Sequence, residues 1–133
     1  MGLVKIRRPA RKEKKKEPAR EKRIDMEVVV DCYGAEEQAM SWYYYLEDTL
    51  EFPFTATCVK KRASSPLKLK ELVDVVGLPP IDECEREMLV SIIWNDRRFS
   101  VPLDQLQCAR CDKKTKQAVE DWHYWVRQGY QFG

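Results

Sequence analysis

Apolar residues are sparse in the first two dozen positions and then recur in short, patterned runs. Ile24-Asp-Met-Glu-Val-Val-Val30 is β-branched and partly alternating, which predicts a strand. Asp31 to Gly34 reads as a turn. Ala35 to Leu50 reads as a helix: Met40, Tyr43, Tyr44 and Leu50 recur near helical spacing, with Ala39 and Leu46 beside them. Glu36 and Glu37 fall in its first turn, where the helix dipole favours negative charge. Pro53 ends that helix and opens an extended segment. Phe54 to Lys60 alternates apolar and polar residues, Glu71 to Leu78 is rich in valine, and Glu87 to Trp94 is followed by Phe99 to Leu103 across an Asn-Asp turn. The chain closes with a second helix, capped by Asp112. Ala118, Val119, Trp122, Trp125 and Val126 make one apolar stripe on it, Gly129 stops it, and Tyr130 and Phe132 are placed to pack back. Short strands separated by turns, with a helix before and after, predict an α+β domain built on a small antiparallel barrel or strongly twisted sheet.

Length and composition fit one such domain. The chain has 133 residues, 44% of them hydrophobic, and a domain of this size buries roughly two-thirds of its unfolded surface, so it needs no staples. No run of about 18 apolar residues exists to span a membrane. The charged N-terminus lacks the apolar stretch of a secretory signal, so the expected compartment is the cytoplasm. Five cysteines, Cys32, Cys58, Cys84, Cys108 and Cys111, are an odd set for a disulfide framework and are expected to be reduced thiols.

Charge changes the picture more than composition does. The net charge of +2 conceals two opposite regions. Residues 1–23 hold eleven Lys/Arg and three Glu, a net of +8, whereas residues 24–133 hold thirteen basic and nineteen acidic residues, a net of −6. Residues 1–23 are therefore expected to be a disordered basic arm, and residues 24–133 a single acidic domain. The arm reads either as a solubilising tail or as an electrostatic contact for nucleic acid, anionic lipid or an acidic partner.

The catalytic inventory is thin. His123 is the only histidine and stands between aromatic residues on a helix. No phosphate-cradling glycine loop and no hydrolase, dinucleotide or zinc-protease motif occurs. Cys108-Ala-Arg-Cys111 is a lone C-x-x-C pair, open to zinc, to redox chemistry or to two ordinary thiols, without a second pair to complete a four-ligand site. Carboxylates are more plentiful. Glu47, Asp48 and Glu51 cluster at the C-terminal end of the first helix, where the dipole disfavours them and a hard cation would relieve the conflict. Asp82, Glu83, Glu85 and Glu87 follow the Pro79-Pro80 turn. Calcium takes six to eight oxygens from carboxylates, carbonyls and water, and either cluster can supply some of them. The EF-hand pattern is absent, and solvated acidic faces are the plainer reading of both clusters.

Val28-Val-Val-Asp31, Tyr33-Gly34, Ala39-Met40, Trp42-Tyr-Tyr-Tyr-Leu-Glu-Asp48, Leu50 and Phe52-Pro-Phe-Thr-Ala56 resemble the small calcium-binding proteins of the cyanobacterial CcbP type. So do Ser65-Pro66-Leu67, Cys84-Glu-Arg-Glu-Met88, Trp94, Val101-Pro-Leu103 and Gln117-Ala-Val-Glu-Asp-Trp-His-Tyr-Trp125, so that the resemblance spans residues 24–132. It implies a protein without catalytic activity that binds Ca2+ at a non-EF-hand site and buffers or sequesters the ion. It also implies an SH3-like barrel flanked by the two helices. Glu47 and Asp48 match the family's motif, with Asp48 the first ligand candidate; Glu51, Glu83, Glu85 and Glu87 are added by proximity and chemistry. The arm departs from the family pattern. Lys60, Lys61, Arg62, Arg97 and Arg98, in or beside the strands, would lower the affinity for a dication. The alternative function is an SH3-like interaction module that contacts nucleic acid or an acidic partner through the arm.

Overall fold

The computed structural model describes residues 15–132; residues 1–14, and the disorder expected of them, lie outside that range. The first helix, α1 (Pro18–Arg23), opens with proline in its first turn and runs directly into a π turn, Ile24–Val28, closed by the Val29 N–H on the Ile24 carbonyl at 3.0 Å. Two expectations change here. The last part of the basic arm is helical rather than unstructured. The Ile24–Val30 segment is helical rather than a strand. A strand would bury Ile24, Met26, Val28 and Val30 on one face. Instead Ile24 and Val28 are buried while Met26 is 63% and Val30 50% exposed, which is the spacing of a helix. Burial of two side chains one turn apart has overridden β propensity.

After a turn with Asp31 at φ 56°, α2 (Ala35–Thr49) begins at Gly34. The Glu37 carboxylate reaches back to accept from the Tyr33 and Gly34 N–H groups at 2.9 and 3.3 Å, satisfying two amide donors at the helix start. Ala39, Trp42, Tyr43 and Leu46 form the buried stripe. The last helix, α3 (Lys113–Arg127), is capped by Asp112, whose carboxylate accepts from the Thr115 N–H at 2.7 Å and is held below its ordinary pKa by the Thr115 side chain first and by that backbone bond second. Gly129, at φ 91°, ends it in a conformation other residues resist.

Five strands lie between the helices: β1 (Phe54–Cys58), β2 (Leu72–Gly77), β3 (Leu89–Trp94), β4 (Arg97–Pro102) and β5 (Leu106–Arg110). They pair antiparallel in the order β4-β3-β2-β1-β5. The β3–β4 hairpin turns on Asn95 and Asp96, both at positive φ, as a tight two-residue connection requires. β5 has no counterpart in the sequence reading. It is held by pairing to β1 and is irregular, with a register shift at Ala109. A 3-10 turn, Leu103–Gln105, carries the chain from the β4 edge to the β5 edge. Those edges are not paired with each other, so the sheet stays open and the expected barrel does not close. α3 packs on β5 and the 3-10 turn.

The core lies between this sheet and the pair α2 and α3. Its helical side is aromatic: Trp42 meets Trp122 edge-on with centroids 4.9 Å apart, and Trp122 stacks on Trp125 at 5.5 Å. Such pairs contribute about 0.5–1.5 kcal/mol each beyond area burial. Across α3, His123 places Nε2 2.6 Å from the Leu106 carbonyl; the acceptor is a carbonyl, so that nitrogen carries the proton. The contact ties α3 to β5, and burial pushes the imidazole pKa below its ordinary value of 6.5.

α1 docks through one buried carboxylate. Asp121 has no exposed surface. It accepts from Arg23 Nε and Nη2 at 3.0 and 2.7 Å and from the Tyr45 hydroxyl at 3.2 Å, and Arg20 Nε lies 3.5 Å away. Tyr45, half-buried beside that charge, has its phenol pushed up to about 12 by burial first and by Asp121 second. Above this clamp the Tyr124 hydroxyl donates to Glu21 at 2.6 Å and accepts from the Glu17 N–H at 3.0 Å.

Two outcomes test this arrangement. Removing one member of a buried ion pair strands the other, so Asp121→Ala is expected to cost about 3–5 kcal/mol in urea unfolding; a loss below about 1 kcal/mol, the scale of an exposed pair, would refute the clamp. The depressed His123 pKa means that the unfolded chain takes up its proton first as pH falls. Stability is complete above about 6.5 and declines below it. His123→Gln is expected to flatten that decline in melts between about pH 7 and 5, and an unchanged slope would assign it to other groups.

Candidate functional site

α2 presents the acidic residues singled out from the sequence, and no Lys, Arg or His occurs from Ile24 to Val59. Glu47 and Asp48 are exposed in its last turn, which carries no basic side chain, and Glu51 is exposed just beyond. Among the described residues none of these three carboxylates makes an ion pair or side-chain hydrogen bond. The conflict between three negative charges and the helix C-terminus is therefore real in the folded chain. The Glu51 N–H donates to the Thr115 hydroxyl at 2.9 Å, which fastens the end of α2 to the first turn of α3.

The second cluster folds as a 3-10 turn, Ile81–Cys84, packed against α2. Its members separate. Glu87 is bound by Arg62, with Nη2 at 2.8 Å and Nη1 at 3.1 Å from its two oxygens. Arg62 Nη1 also donates to Asp104 at 2.6 Å, and Lys60 pairs with the same residue at 3.2 Å. This fork ties the link after β1 to the approach to β3 and removes Glu87 from the free carboxylates. It also pairs two of the cations expected to weaken a dication site. Glu83 accepts from the Ser100 hydroxyl at 3.3 Å. Asp82 and Glu85 are exposed and free of side-chain partners among the described residues.

The structure joins the two clusters at Tyr43. Its hydroxyl donates to the Pro79 carbonyl at 2.7 Å across the seam between α2 and the 3-10 turn. Burial pushes this phenol up, and the neighbouring charge of Glu47, followed by Cys84, Tyr44 and Asp82, adds to the shift. Cys84 is raised in the same way, by burial and then by Glu83, Asp82 and Glu87 against the one hydrogen bond that lowers it. Tyr43 thus stands at the seam where α2 meets the turn. Beside it Glu36, Asp82 and Glu85 border a groove floored by Ala39, Met40, Tyr44 and Ile81. Asp48 lies on the other flank of α2, in a shallow groove with Glu27 and Glu37. Among the described residues no three Asp, Glu, Cys or His side chains converge closely enough to form a ready-made metal cage. The donor set is all oxygen, hard and acidic, which suits a hard dication, but it is an open array on a surface.

Glu36 entered the sequence reading only as a dipole partner. Its place opposite Asp82 and Glu85 depends on a tertiary contact; the sequence signal was the Glu36–Met40–Tyr44 stripe within a stretch free of cations. The other sulfur and nitrogen candidates form no comparable site. Burial and a hydrogen bond with Cys111 push the Cys108 thiol well up, opposite to what a nucleophile or thiolate ligand needs. His123 has its Nε2 committed to Leu106. No helix among the described residues is long and apolar enough to cross a membrane. Two cations of the arm, Arg20 and Arg23, point inward to Asp121 rather than outward to a partner.

Comparison with known proteins bears on the same region. No curated protein matches the chain. The crystal structure of Anabaena CcbP superimposes with a TM-score of 0.79 at 39% identity, covering 89% of this chain and 97% of that one. A calcium binding protein in its calcium-binding form matches with a TM-score of 0.79 at 37% identity, covering 90% and 98%. The CcbP family model, described as calcium binding, matches residues 22–126. With that span covering the sheet, α2 and nearly all of α3, this chain belongs to the CcbP family of calcium-binding proteins.

Proposed function

We propose that this chain binds Ca2+ through surface carboxylates gathered on α2 and the 3-10 turn beside it, and that it buffers or sequesters the ion without catalysing a reaction. Family membership supports the ion. The observation that carries the location is the last turn of α2, where Glu47 and Asp48 stand exposed without a cation. Glu47 and Asp48 are the ligands of first choice, with Glu51 just beyond them, Asp82 and Glu85 at the margins and water filling the remaining positions. Glu87, held by Arg62, and Glu83, bonded to Ser100, are left as lesser contributors. When bound, the cation supplies the positive charge that the helix C-terminus lacks. An open array of single carboxylates implies micromolar to sub-millimolar affinity, the range expected of sites with few charged ligands. A cytoplasmic setting agrees with five unpaired thiols. The arm as a nucleic-acid contact is less favoured, because its described arginines are engaged internally.

Calorimetric titration of the full chain with CaCl2 is expected to give binding in that range. Asp48→Asn and Glu47→Gln are each expected to weaken it by about tenfold, or about 1.4 kcal/mol. The absence of heat together with an unchanged spectrum would reject the reading. Metal removal gives a second check. None of the proposed ligands belongs to the buried core, so a chelator is expected to leave the circular dichroism spectrum unaltered, while calcium at about 100 times Kd should add about 2.7 kcal/mol of stability. Unfolding on chelation would instead mean a structural metal.

A further inference from the structure

The groove between the first half of α2 and the 3-10 turn has features that a calcium site does not use. Its floor is apolar: Met40 and Tyr44 are 43% and 48% exposed, and Ala39 leaves room between them and Ile81. A calcium ion gains nothing from a thioether, a phenyl ring or a branched alkyl group. Glu36, Met40 and Tyr44 stand at four-residue intervals, one above the other on the helix surface, so one carboxylate and two large apolar side chains share a row. Asp82 and Glu85 form the opposite rim. No lining residue is basic, and none is available from the whole of Ile24–Val59. Glu36, Asp82 and Glu85 make no side-chain ion pair among the described residues. The cavity is about 470 Å³, within the range of sites that enclose a ligand group.

We propose that this groove is a docking site for a basic amphipathic peptide segment of a protein partner. One large apolar side chain of the segment seats on Met40, Tyr44 and Ile81, and Lys or Arg residues one helical turn to either side pair with Glu36, Asp82 and Glu85. Charge complementarity selects this occupant. A neutral apolar ligand would leave the three carboxylates on the rim without a counter-charge, and an anionic lipid surface would be repelled by them. Methionine suits such a floor, because its flexible, polarisable side chain adapts to differing apolar anchors. The inference stands apart from the calcium reading, since it requires no metal. The two are nevertheless linked: calcium drawn to Asp82 lowers the negative potential of the rim, so calcium and peptide should weaken each other, each by the same factor.

The test is fluorescence anisotropy of a labelled Leu/Lys amphipathic helix titrated with the full chain in EDTA, beside an equally charged Gly/Lys peptide. EDTA makes the outcome independent of whether the chain binds calcium. The Leu/Lys peptide is expected to bind in the micromolar range and the Gly/Lys peptide about tenfold more weakly or worse. Met40→Ser and Tyr44→Ser, both at exposed positions and checked for fold by circular dichroism, are expected to weaken the Leu/Lys peptide by about tenfold. Glu36→Gln with Glu85→Gln should weaken it and flatten its dependence on salt. Equal binding of the two peptides, or wild-type binding by the Met40 and Tyr44 variants, would overturn the proposal. So would light scattering that shows a dimer of the free chain abolished by Met40→Ser, which would assign the groove to a second copy.

Discussion

A carboxylate with no exposed surface has to be answered, and Asp121 organises the helical half of the molecule around the answer. Its oxygens take two bonds from Arg23 and one from Tyr45, with Arg20 close by. These three residues come from two other helices. An isolated buried charge costs far more than a domain of this size can spare, so α1, α2 and α3 are obliged to meet where Asp121 lies. The basic character of the arm acquires a structural meaning at its C-terminal end, because two of its arginines are counter-ions for the core. The aromatic contacts of Trp42, Trp122 and Trp125 then have a fixed frame in which to pack. The polar clamp sets the geometry and the rings supply most of the apolar burial.

That dependence also explains what the sequence did and did not disclose. α2, α3, the Asp112 cap and four strands follow from local periodicity, and the structure places them within a few residues of expectation. The Asn95-Asp96 hairpin was legible because two adjacent positive-φ positions demand short polar residues. Ile24–Val30 was misread because Ile24 and Val28 satisfy both a period of two and a period near four. Only Met26 and Val30 distinguish them, and their exposure is a fact of tertiary packing. β5 was missed because Leu106 is its one buried residue, and its identity as a strand lies in its pairing with β1. Closure of the sheet was wrong for a related reason: whether β4 meets β5 depends on the Leu103–Gln105 turn and on α3, neither of which declares its position in a window of sequence.

The acidic residues show the same division. That Glu47, Asp48 and Glu51 sit at a helix end was readable from spacing. That Tyr43 bonds the Pro79 carbonyl, and that Glu87 is taken by Arg62, was not, because these contacts join residues 25 or more positions apart in the chain. The family resemblance named Glu47 and Asp48, and the structure adds a reason for them in the uncompensated charge at the end of α2. It also removes part of an objection. The cations that seemed set against a dication site are partly neutralised, since Lys60 and Arg62 serve Asp104 and Glu87.

Pairing of this kind sorts charge across the molecule. Lys60 and Arg62 are matched to Asp104 and Glu87, and Arg20 and Arg23 are matched to Asp121. On α2 and the turn packed against it, Glu36, Glu47, Asp48, Asp82 and Glu85 make no ion pair among the described residues, and Ile24–Val59 supplies no cation. Internal ion pairs screen one another at short range, whereas unmatched charges of one sign add their fields. The cation-free stretch around α2 therefore presents a local negative field that the net charge of −6 does not by itself reveal. An exposed row of carboxylates with methionine and tyrosine between them can attract either a small hard cation or a larger cation that carries apolar surface. The carboxylates alone do not discriminate between these two. The apolar floor does, because it rewards only the second.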